Sequence, residues 1–327
     1  MRNCYLVTGC AGFIGSKVAE FLLDAGHAVV GLDNLNDSYD IRLKEWRLSQ
    51  LKSRHGFELI IGDINDRKRM RMIWEGKGRQ AFDGVINLAA RAGVRYSVEN
   101  PWVYIDTNIT GTLNLLEFCR EFGVIKFVLA SSSSLYGKNN PVPFREDAKT
   151  DQLLSPYATS KKAAENLCYN YHTLYGMDIS VLRYFTVYGP AGRPDMSPFR
   201  FVQWISEGKP VSVLGDGKQE RDFTFVDDIA RGTVAALRPL GYEIINLGCD
   251  QPVALSDFIH LVEEIVGTKA KLEFKPAVVA DILATWADNR KALEILGWKP
   301  QHNLRDGVER LVGWYKDNRD WAMLINT

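Results

Sequence analysis

Tyr157 and Lys161 stand four residues apart in Ser155-Pro-Tyr-Ala-Thr-Ser-Lys161. On a helix, positions i and i+4 share a face, so a lysine ammonium there sits beside a phenol and favours its ionised form. A free tyrosine titrates near ~10, and a base working near neutrality needs a shift of roughly three units, about 4 kcal/mol. A neighbouring Lys⁺ and a positively charged cofactor ring are two sources for such a shift. The same spacing also suits an ordinary exposed helical pair, and the rest of the chain decides between the two.

Near the N-terminus the chain reads Tyr5-Leu-Val-Thr-Gly9-Cys-Ala-Gly12-Phe13-Ile14-Gly15, followed by Ser16-Lys-Val-Ala-Glu-Phe-Leu-Leu-Asp-Ala-Gly26. An apolar strand, a glycine-rich turn and an amphipathic helix follow one another, and the helix closes at a glycine suited to a C-cap. Glycines let a backbone come close to a pyrophosphate, whose charge the helix N-terminus favours. A second apolar strand, His27-Ala-Val-Val-Gly-Leu-Asp33, ends in an acid. A dinucleotide fold needs a carboxylate there for the adenosine ribose hydroxyls. Asp33 would repel a 2′-phosphate and no arginine follows it directly, which points to NAD rather than NADP. A glycine triplet alone is equally a tight turn; the whole ordered series is specific.

Three more patterns fall at the carboxyl ends of strands, where a sheet of this kind places its active site. Asn87-Leu88-Ala89-Ala90-Arg91 offers small residues against which a cofactor can lie, or plain helix–sheet packing. Ala130-Ser131-Ser132-Ser133-Ser134-Leu-Tyr136-Gly137 puts four serines after a buried strand, as a polar loop or as hydroxyl donors around a sugar. The sixth strand ends in Arg183-Tyr-Phe-Thr186-Val-Tyr188-Gly-Pro190-Ala-Gly192-Arg193-Pro-Asp-Met196.

The elements that must position these groups alternate along the chain. Strands are expected at Tyr5–Thr8, Ala28–Asp33, Glu58–Gly62, Gly84–Ala89, Phe127–Ser131, Ile179–Phe185 and Glu243–Leu247. Helices are expected at Ser16–Ala25, around Arg42–Arg54, at Thr107–Phe122 and from Pro156 to about Tyr175. This alternation predicts an α/β fold, a doubly wound parallel sheet of Rossmann type with a smaller mixed α/β domain. Even turn spacing weakens after Tyr188, and Gly189-Pro190 and Gly208-Lys-Pro210 break the chain. The expected division is residues 1–186 as the NAD-binding domain, with 223–248 returning to it, and 187–222 with 249–327 as the second domain.

Bulk properties narrow the function classes. Lys+Arg and Asp+Glu both number 40, which argues against nucleic acid or an acidic membrane surface as partner. The five cysteines are scattered and form no C-x-x-C pair, and the five histidines are dispersed, so no metal site is expected. Free thiols suit a reducing cytoplasm. The first strand begins almost at once, leaving no room for a signal peptide. No apolar run approaches the ~18 residues that span a bilayer.

Gly9/Gly12/Gly15, Asp33, Gly62-Asp63-Ile64, Leu88-Ala89-Ala90, the serines ahead of Tyr136-Gly137, Tyr157/Lys161, and Arg221-Asp222-Phe223 before Val226-Asp227-Asp228 form one set. Over nearly its full length the chain thereby resembles the extended short-chain dehydrogenase/reductase family of nucleotide-sugar epimerases and dehydratases. Phe185-Thr186-Val-Tyr-Gly-Pro190 and Gly192-Arg193-Pro-Asp-Met196 look most like its UDP-glucuronate 4-epimerases, although many relatives carry Asn at the place of Thr186. The resemblance implies tightly held NAD, a UDP-sugar substrate and inversion at C4 through a transient 4-keto sugar. It makes Tyr157 the base, with Lys161 beside it on the cofactor ribose, and Ser132 the third catalytic hydroxyl. Gly9, Gly12, Phe13, Ile14, Gly15, Asp33, Asn34, Asp63, Ile64, Leu88, Ala89 and Ala90 would line the cofactor, with Asp63 and Ile64 at its adenine. Arg221 would hold the diphosphate and Asp281 the uridine ribose. Ser133, Ser134 and Thr186 would bind the sugar C6 carboxylate, and Arg193 would also meet the substrate. A homodimer through the helices near Thr107–Phe122 and Pro156–Tyr175 is a further implication.

Chemistry favours a uronate within that set. Hydroxyls that donate to a carboxylate make charge-assisted bonds, and several together fix its orientation. Oxidation at C4 creates a β-keto acid, which loses CO₂ readily if its C5–C6 bond aligns with the carbonyl π system. Decarboxylases and 4,6-dehydratases of the family carry an acid in the loop after the catalytic hydroxyl, whereas here it reads Ser133-Ser134-Leu135. Three positions depart from relatives. Val278 stands where many have Gln or Arg, Asn87 where His is usual, and Thr285 where some galactose epimerases have tyrosine. The small Thr285 leaves space for an N-acetylated sugar. A UDP-glucose/galactose or UDP-N-acetylhexosamine epimerase, a UDP-glucuronate decarboxylase, a net oxidoreductase and a cofactor-sensing binding protein stay open as alternatives.

Overall fold

The structure, a computed structural model, describes residues 2–276 and 282–327. Val278 and Asp281 lie outside the described residues. The first six strands are β1 (Cys4–Thr8), β2 (Ala28–Asp33), β3 (Phe57–Ile61), β4 (Gly84–Asn87), β5 (Lys126–Ser132) and β6 (Asp178–Tyr184). After them come β7 (Thr186–Tyr188), β8 (Pro210–Leu214), β9 (Glu220–Phe225), β10 (Tyr242–Leu247), β11 (Pro252–Ala254) and β12 (Lys271–Lys275).

Seven strands form one parallel sheet in the order β3-β2-β1-β4-β5-β6-β10. Its apolar residues alternate between two faces, as the two-residue period of a strand requires. Val7, Ile86, Val128 and Leu182 pack with Val18, Ala19 and Leu22 of the helix Phe13–Asp24 on one side. Leu6, Val85, Leu129 and Val181 pack with Leu115, Phe118, Ala164 and Cys168 on the other. Both faces are covered, which is the expected doubly wound α/β architecture. Strand order reverses between β1 and β4, and it is at the carboxyl ends of the strands beside such a switch that a sheet of this kind takes a ligand. Thr8 lies opposite both Leu32 and Asn87, so the glycine turn, the acid of β2 and the end of β4 share one rim.

The smaller layer holds a three-stranded sheet, β11-β9-β7, and a parallel pair, β12-β8. Around them Phe199, Val202, Phe223, Phe225, Phe258, Val308 and Leu311 form an aromatic-rich core. Within the stretch 223–248, the strand Tyr242–Leu247 joins the large sheet beside β6, whereas Phe223–Phe225 belongs to β9 of the small sheet. Two elements carry the chemistry. The helix Phe13–Asp24 starts at Gly12, and the helix Pro156–Tyr175 starts with proline at its first position. Ser155 caps the latter by accepting from the Ala158 amide at 3.2 Å, and Gly176 ends it in a left-handed conformation.

Candidate active site

The glycine turn meets the end of β4 backbone to backbone. A Cβ on Gly9, whose φ is +68°, would stand 2.8 Å from the Ala89 nitrogen and 2.9 Å from the Leu88 carbonyl carbon. A Cβ on Gly15 would stand 2.1 Å from the Gly9 oxygen, and one on Gly12 2.9 Å from it. Only glycines allow this closeness, and it leaves the first amides of the helix, at Phe13, Ile14 and Gly15, without intrahelical partners. Asp33 is buried at the end of β2, accepting from the Ala11 amide at 3.0 Å and the Leu35 amide at 2.9 Å. Each carboxylate oxygen keeps a further lone pair for a ribose hydroxyl. Asn34 donates to Asp63 at 2.7 Å, which places those two residues together, and Ile64 is buried beside them. Asn87 accepts from Thr8 at 2.8 Å and donates to Thr112 at 3.0 Å, so an asparagine is well accommodated at this position. The cradle and its acid suit a dinucleotide such as NAD.

Tyr157 opens the helix Pro156–Tyr175 near the carboxyl end of β5, where the Ser132 hydroxyl acts on its phenol. Its ring meets buried Tyr104 edge-on, with centroids 6.1 Å apart. Burial pushes the Tyr157 phenol above the ordinary tyrosine value, while the nearby Ser132 hydroxyl and the charge of Arg193 draw it down. Lys161 is buried and donates to the Ala130 carbonyl at 2.8 Å. Burial pulls its ammonium down to about 8, against the field of Glu165 one turn further along. Arg193, from the loop after β7, is a cation whose charge draws the phenol down. Arg193 is held by Asp195, at 3.0 Å and 2.5 Å, and reaches the Ala92 carbonyl at 3.3 Å.

The four serines split. Ser131 donates to the buried Glu165 at 2.6 Å, so it leaves the expected set of sugar-facing hydroxyls. Ser132 donates to the Ser134 hydroxyl at 3.1 Å and accepts from the Ser134 amide at 3.2 Å. Ser133 is buried in the single turn Ser133–Tyr136, and Thr186 opens β7 opposite Phe223. Arg221 lies on β9 and donates to the Glu220 carbonyl at 2.8 Å. The Thr285 hydroxyl is buried without a hydrogen-bond partner among the described residues.

Sequence reasoning overlooked Asn108 and the Glu165–Arg183 pair. Asn108 sits in a π-helical turn, Ile105–Thr110, bracketing Arg91 by two bonds of 2.8 and 2.9 Å and donating to Ser160 at 2.9 Å. It ties the loop after β4 to the Tyr157 helix. Glu165 receives two bonds from Arg183, at 3.0 and 2.9 Å, behind Lys161. The signal was present: Tyr157, Lys161 and Glu165 repeat every four residues on one helix face.

The family model described as GDP-mannose 4,6 dehydratase matches residues 6–311. The chain belongs to the GDP-mannose 4,6 dehydratase family. This is the extended epimerase and dehydratase group that its motifs resemble. A family member named UDP-glucuronate 4-epimerase, from Thermodesulfobacterium geofontis, is 57% identical over 315 residues, covering 96% of both chains. One of the Arabidopsis thaliana UDP-glucuronate 4-epimerases is 42% identical over 95% of this chain and 74% of its own. In three dimensions the chain is similar to the Bacillus cereus UDP-glucuronic acid 4-epimerase solved with UDP-glucuronic acid and NAD. The TM-score is 0.88 at 37% identity, over 96% of this chain and 99% of that one.

Proposed function

We infer that this protein is an NAD-dependent UDP-sugar 4-epimerase that interconverts UDP-glucuronate and UDP-galacturonate. One observation carries the reading: Tyr157, under the influence of the Ser132 hydroxyl, stands at the carboxyl end of β5, on the same sheet that carries the glycine cradle after β1, beside a loop whose side chains at 133–135 are all neutral. Relatives that share most of this chain's length bear that name, and one is solved with both molecules.

In the proposed chemistry Tyr157, aided by Ser132, takes the proton from the sugar 4′-hydroxyl. NAD held by Gly9, Gly12, Gly15, Asp33, Asn34, Asp63, Ile64 and Leu88–Ala90 supplies the hydride acceptor, and then donor, for C4. Lys161 anchors the cofactor ribose. Ser133, Ser134 and Thr186 donate to the sugar carboxylate and restrain C5–C6 rotation, which keeps a 4-keto uronate from aligning for CO₂ loss. Arg193 meets the sugar and Arg221 the diphosphate. When the sugar has presented its other face, Tyr157 returns the proton to O4.

We propose a division into a cofactor domain (1–186, with the strand Tyr242–Leu247) and a nucleotide-sugar domain built on the rest. A homodimer is supported by apolar side chains exposed on the two long helices and the segment before them, including Trp102 at 75%, Leu174 at 69% and Tyr169 at 55% exposure. All five cysteines are free, which suits a cytoplasmic protein, and no helix among the described residues is long and apolar enough to cross a membrane. Proton NMR of the purified protein with UDP-glucuronate and no added NAD tests the reading. UDP-galacturonate is the expected product. UDP-pentose signals, or turnover of neutral hexoses alone, would overturn it.

A further inference from the structure

We infer that Arg47 is a positioning residue that clasps the cofactor's glycine turn to the loop carrying Arg193, and so sets affinity for the sugar rather than for the uridine nucleotide; this rests on the substrate proposed above. Arg47 lies mid-way along the helix Ile41–Lys52, with 2% of its surface exposed. Its partners are not acids. Nε and Nη2 donate to the Ala191 carbonyl at 3.0 and 2.6 Å, and Nη2 also to Gly192 at 3.2 Å. Nη1 donates to the Ala11 carbonyl at 3.1 Å and to the Tyr39 hydroxyl at 2.7 Å. Among the described residues no carboxylate pairs with it.

Burying a guanidinium without a counter-ion is costly, and a hydrophobic side chain would fill the space at lower free energy. What the fork contributes is geometry: its planar donors span two loops at once, which no apolar side chain and no point-charge ammonium can do. On one side is Ala11, inside the glycine turn, whose amide is already held by Asp33. On the other is Ala191, whose φ of +51° is a left-handed conformation disfavoured for a residue with a side chain. Two donors on its carbonyl hold that turn. The next residues are Gly192, where a Cβ would stand 3.1 Å from the Gly189 oxygen, and Arg193, whose charge acts on Tyr157. The clasp therefore fixes the direction in which Arg193 leaves its loop. None of these bonds involves Arg221 or β9, on which the diphosphate contact is proposed.

The test is steady-state kinetics on the NAD-bound protein with Arg47→Met, Arg47→Lys and Tyr39→Phe. A cavity of about 400 Å³ adjoins Arg47, lined in part by Phe13, Trp46, Gln50 and Pro190. Water there can reach the freed carbonyls, so the variants keep a route to a folded state. Arg47→Met is expected to raise KM for UDP-glucuronate about tenfold and to lower kcat by a similar factor, with the inhibition constant of UDP changed by less than about twofold. Arg47→Lys should not restore either parameter, and Tyr39→Phe should move both a few-fold in the same direction. Bound NAD per chain after desalting should fall in Arg47→Met. Equal weakening of UDP and UDP-glucuronate, full rescue by lysine, or unchanged kinetics would each overturn the clasp. The comparison is made on whichever UDP-sugar the wild type turns over. Failure of the substrate assignment shows in the wild type, and failure of the clasp shows in the ratio between variants.

Discussion

Replacing Glu165 by glutamine removes one charge from a buried cluster while keeping its shape. Glu165 and Arg183 are each 1% exposed, and the carboxylate accepts from Ser131 at 2.6 Å and from Arg183 at 3.0 and 2.9 Å. Arg183 also donates to the Tyr136 hydroxyl at 3.0 Å, but no second carboxylate among the described residues pairs with it. Removing one partner of such a pair leaves an uncompensated buried charge, which costs about 3–5 kcal/mol. With an unfolding entropy of roughly 0.7 kcal/mol/K for a chain of this size, the melting temperature should fall by about 4–7 °C. Glu165 also holds up the Lys161 ammonium, which burial lowers to about 8. Without that field the ammonium titrates closer to neutrality, and the alkaline limb of the pH–kcat/KM profile should move to lower pH. Because the folded lysine loses its proton before the unfolded one, its burial penalty is full below pH 8 and fades as pH rises toward 10.5. The variant's Lys161 titrates below pH 8, so the part of the deficit due to it should be full below that lower value and gone above about pH 8, whereas the part due to Arg183 should persist. Differential scanning calorimetry across pH, together with the pH–rate profile, reads both. An unchanged melting temperature with an unmoved alkaline limb would refute the electrostatic account. A Glu165→Met/Arg183→Met protein melting well below Glu165→Gln would refute the claim that the orphaned charge is the cause.

Tyr157→Phe should abolish turnover by at least about three orders of magnitude while bound NAD per chain stays near the wild-type value, since in the proposed mechanism the phenol acts on the sugar proton; near-normal turnover would remove Tyr157 from the mechanism. Gly15→Ala places a Cβ 2.1 Å from the Gly9 oxygen and 2.8 Å from its carbonyl carbon, so the turn must open. NAD retained after desalting should drop about tenfold or more for a strain of about 1–3 kcal/mol, and full retention would show that the cradle is not the cofactor site. Asp222 is buried and accepts from the amides of Cys249, Ala287 and Asp250 at 2.5, 2.9 and 3.2 Å. Asp222→Asn turns a side-chain NH₂ toward those donors and should cost about 2–4 kcal/mol. Burial raises this carboxyl to about 6, so the stability it lends is fullest below pH 4 and is lost as pH rises through 6. Urea unfolding should accordingly show a larger deficit at pH 4.5 than at pH 7; the reverse order would contradict the burial account.

The sheet was readable because parallel strands buried on both faces are continuous apolar runs, and each of the seven begins and ends within two residues of its expected place. Glycine turn and acid were readable because their spacing is imposed by close backbone approach, which only glycine permits. What escaped is what depends on partners distant in sequence. Ser131 looks like its three neighbours until β5 is paired with β6 and alternation turns it toward Glu165. Arg47 stands 144 residues from Ala191, and no local pattern marks a guanidinium that will bond carbonyls of two loops. Tyr157 and Lys161 were found by their spacing, yet the charge that acts on the phenol comes from Arg193. A four-residue interval shows which groups share a face. It does not show which cation, from another element, will lie nearest the oxygen.

That third party matters most for a uronate. A carboxylate about 6 Å from the phenol at an effective dielectric of about 20 contributes roughly 3 kcal/mol, enough to raise the phenol by about two pK units and to blunt it as a base. In the proposed complex, hydroxyls at Ser133, Ser134 and Thr186 would fix the carboxylate but do nothing to offset its charge. A single guanidinium at a comparable distance cancels the effect, and Arg193 already acts on Tyr157 in that sense. Asp195 works against a freely mobile guanidinium by holding two of its nitrogens, so its orientation is set before substrate arrives. A hexose brings no such charge and needs no such offset. On the proposed reading, selectivity for a uronate would reside as much in the electrostatic support of the base as in the hydrogen bonds to the carboxylate.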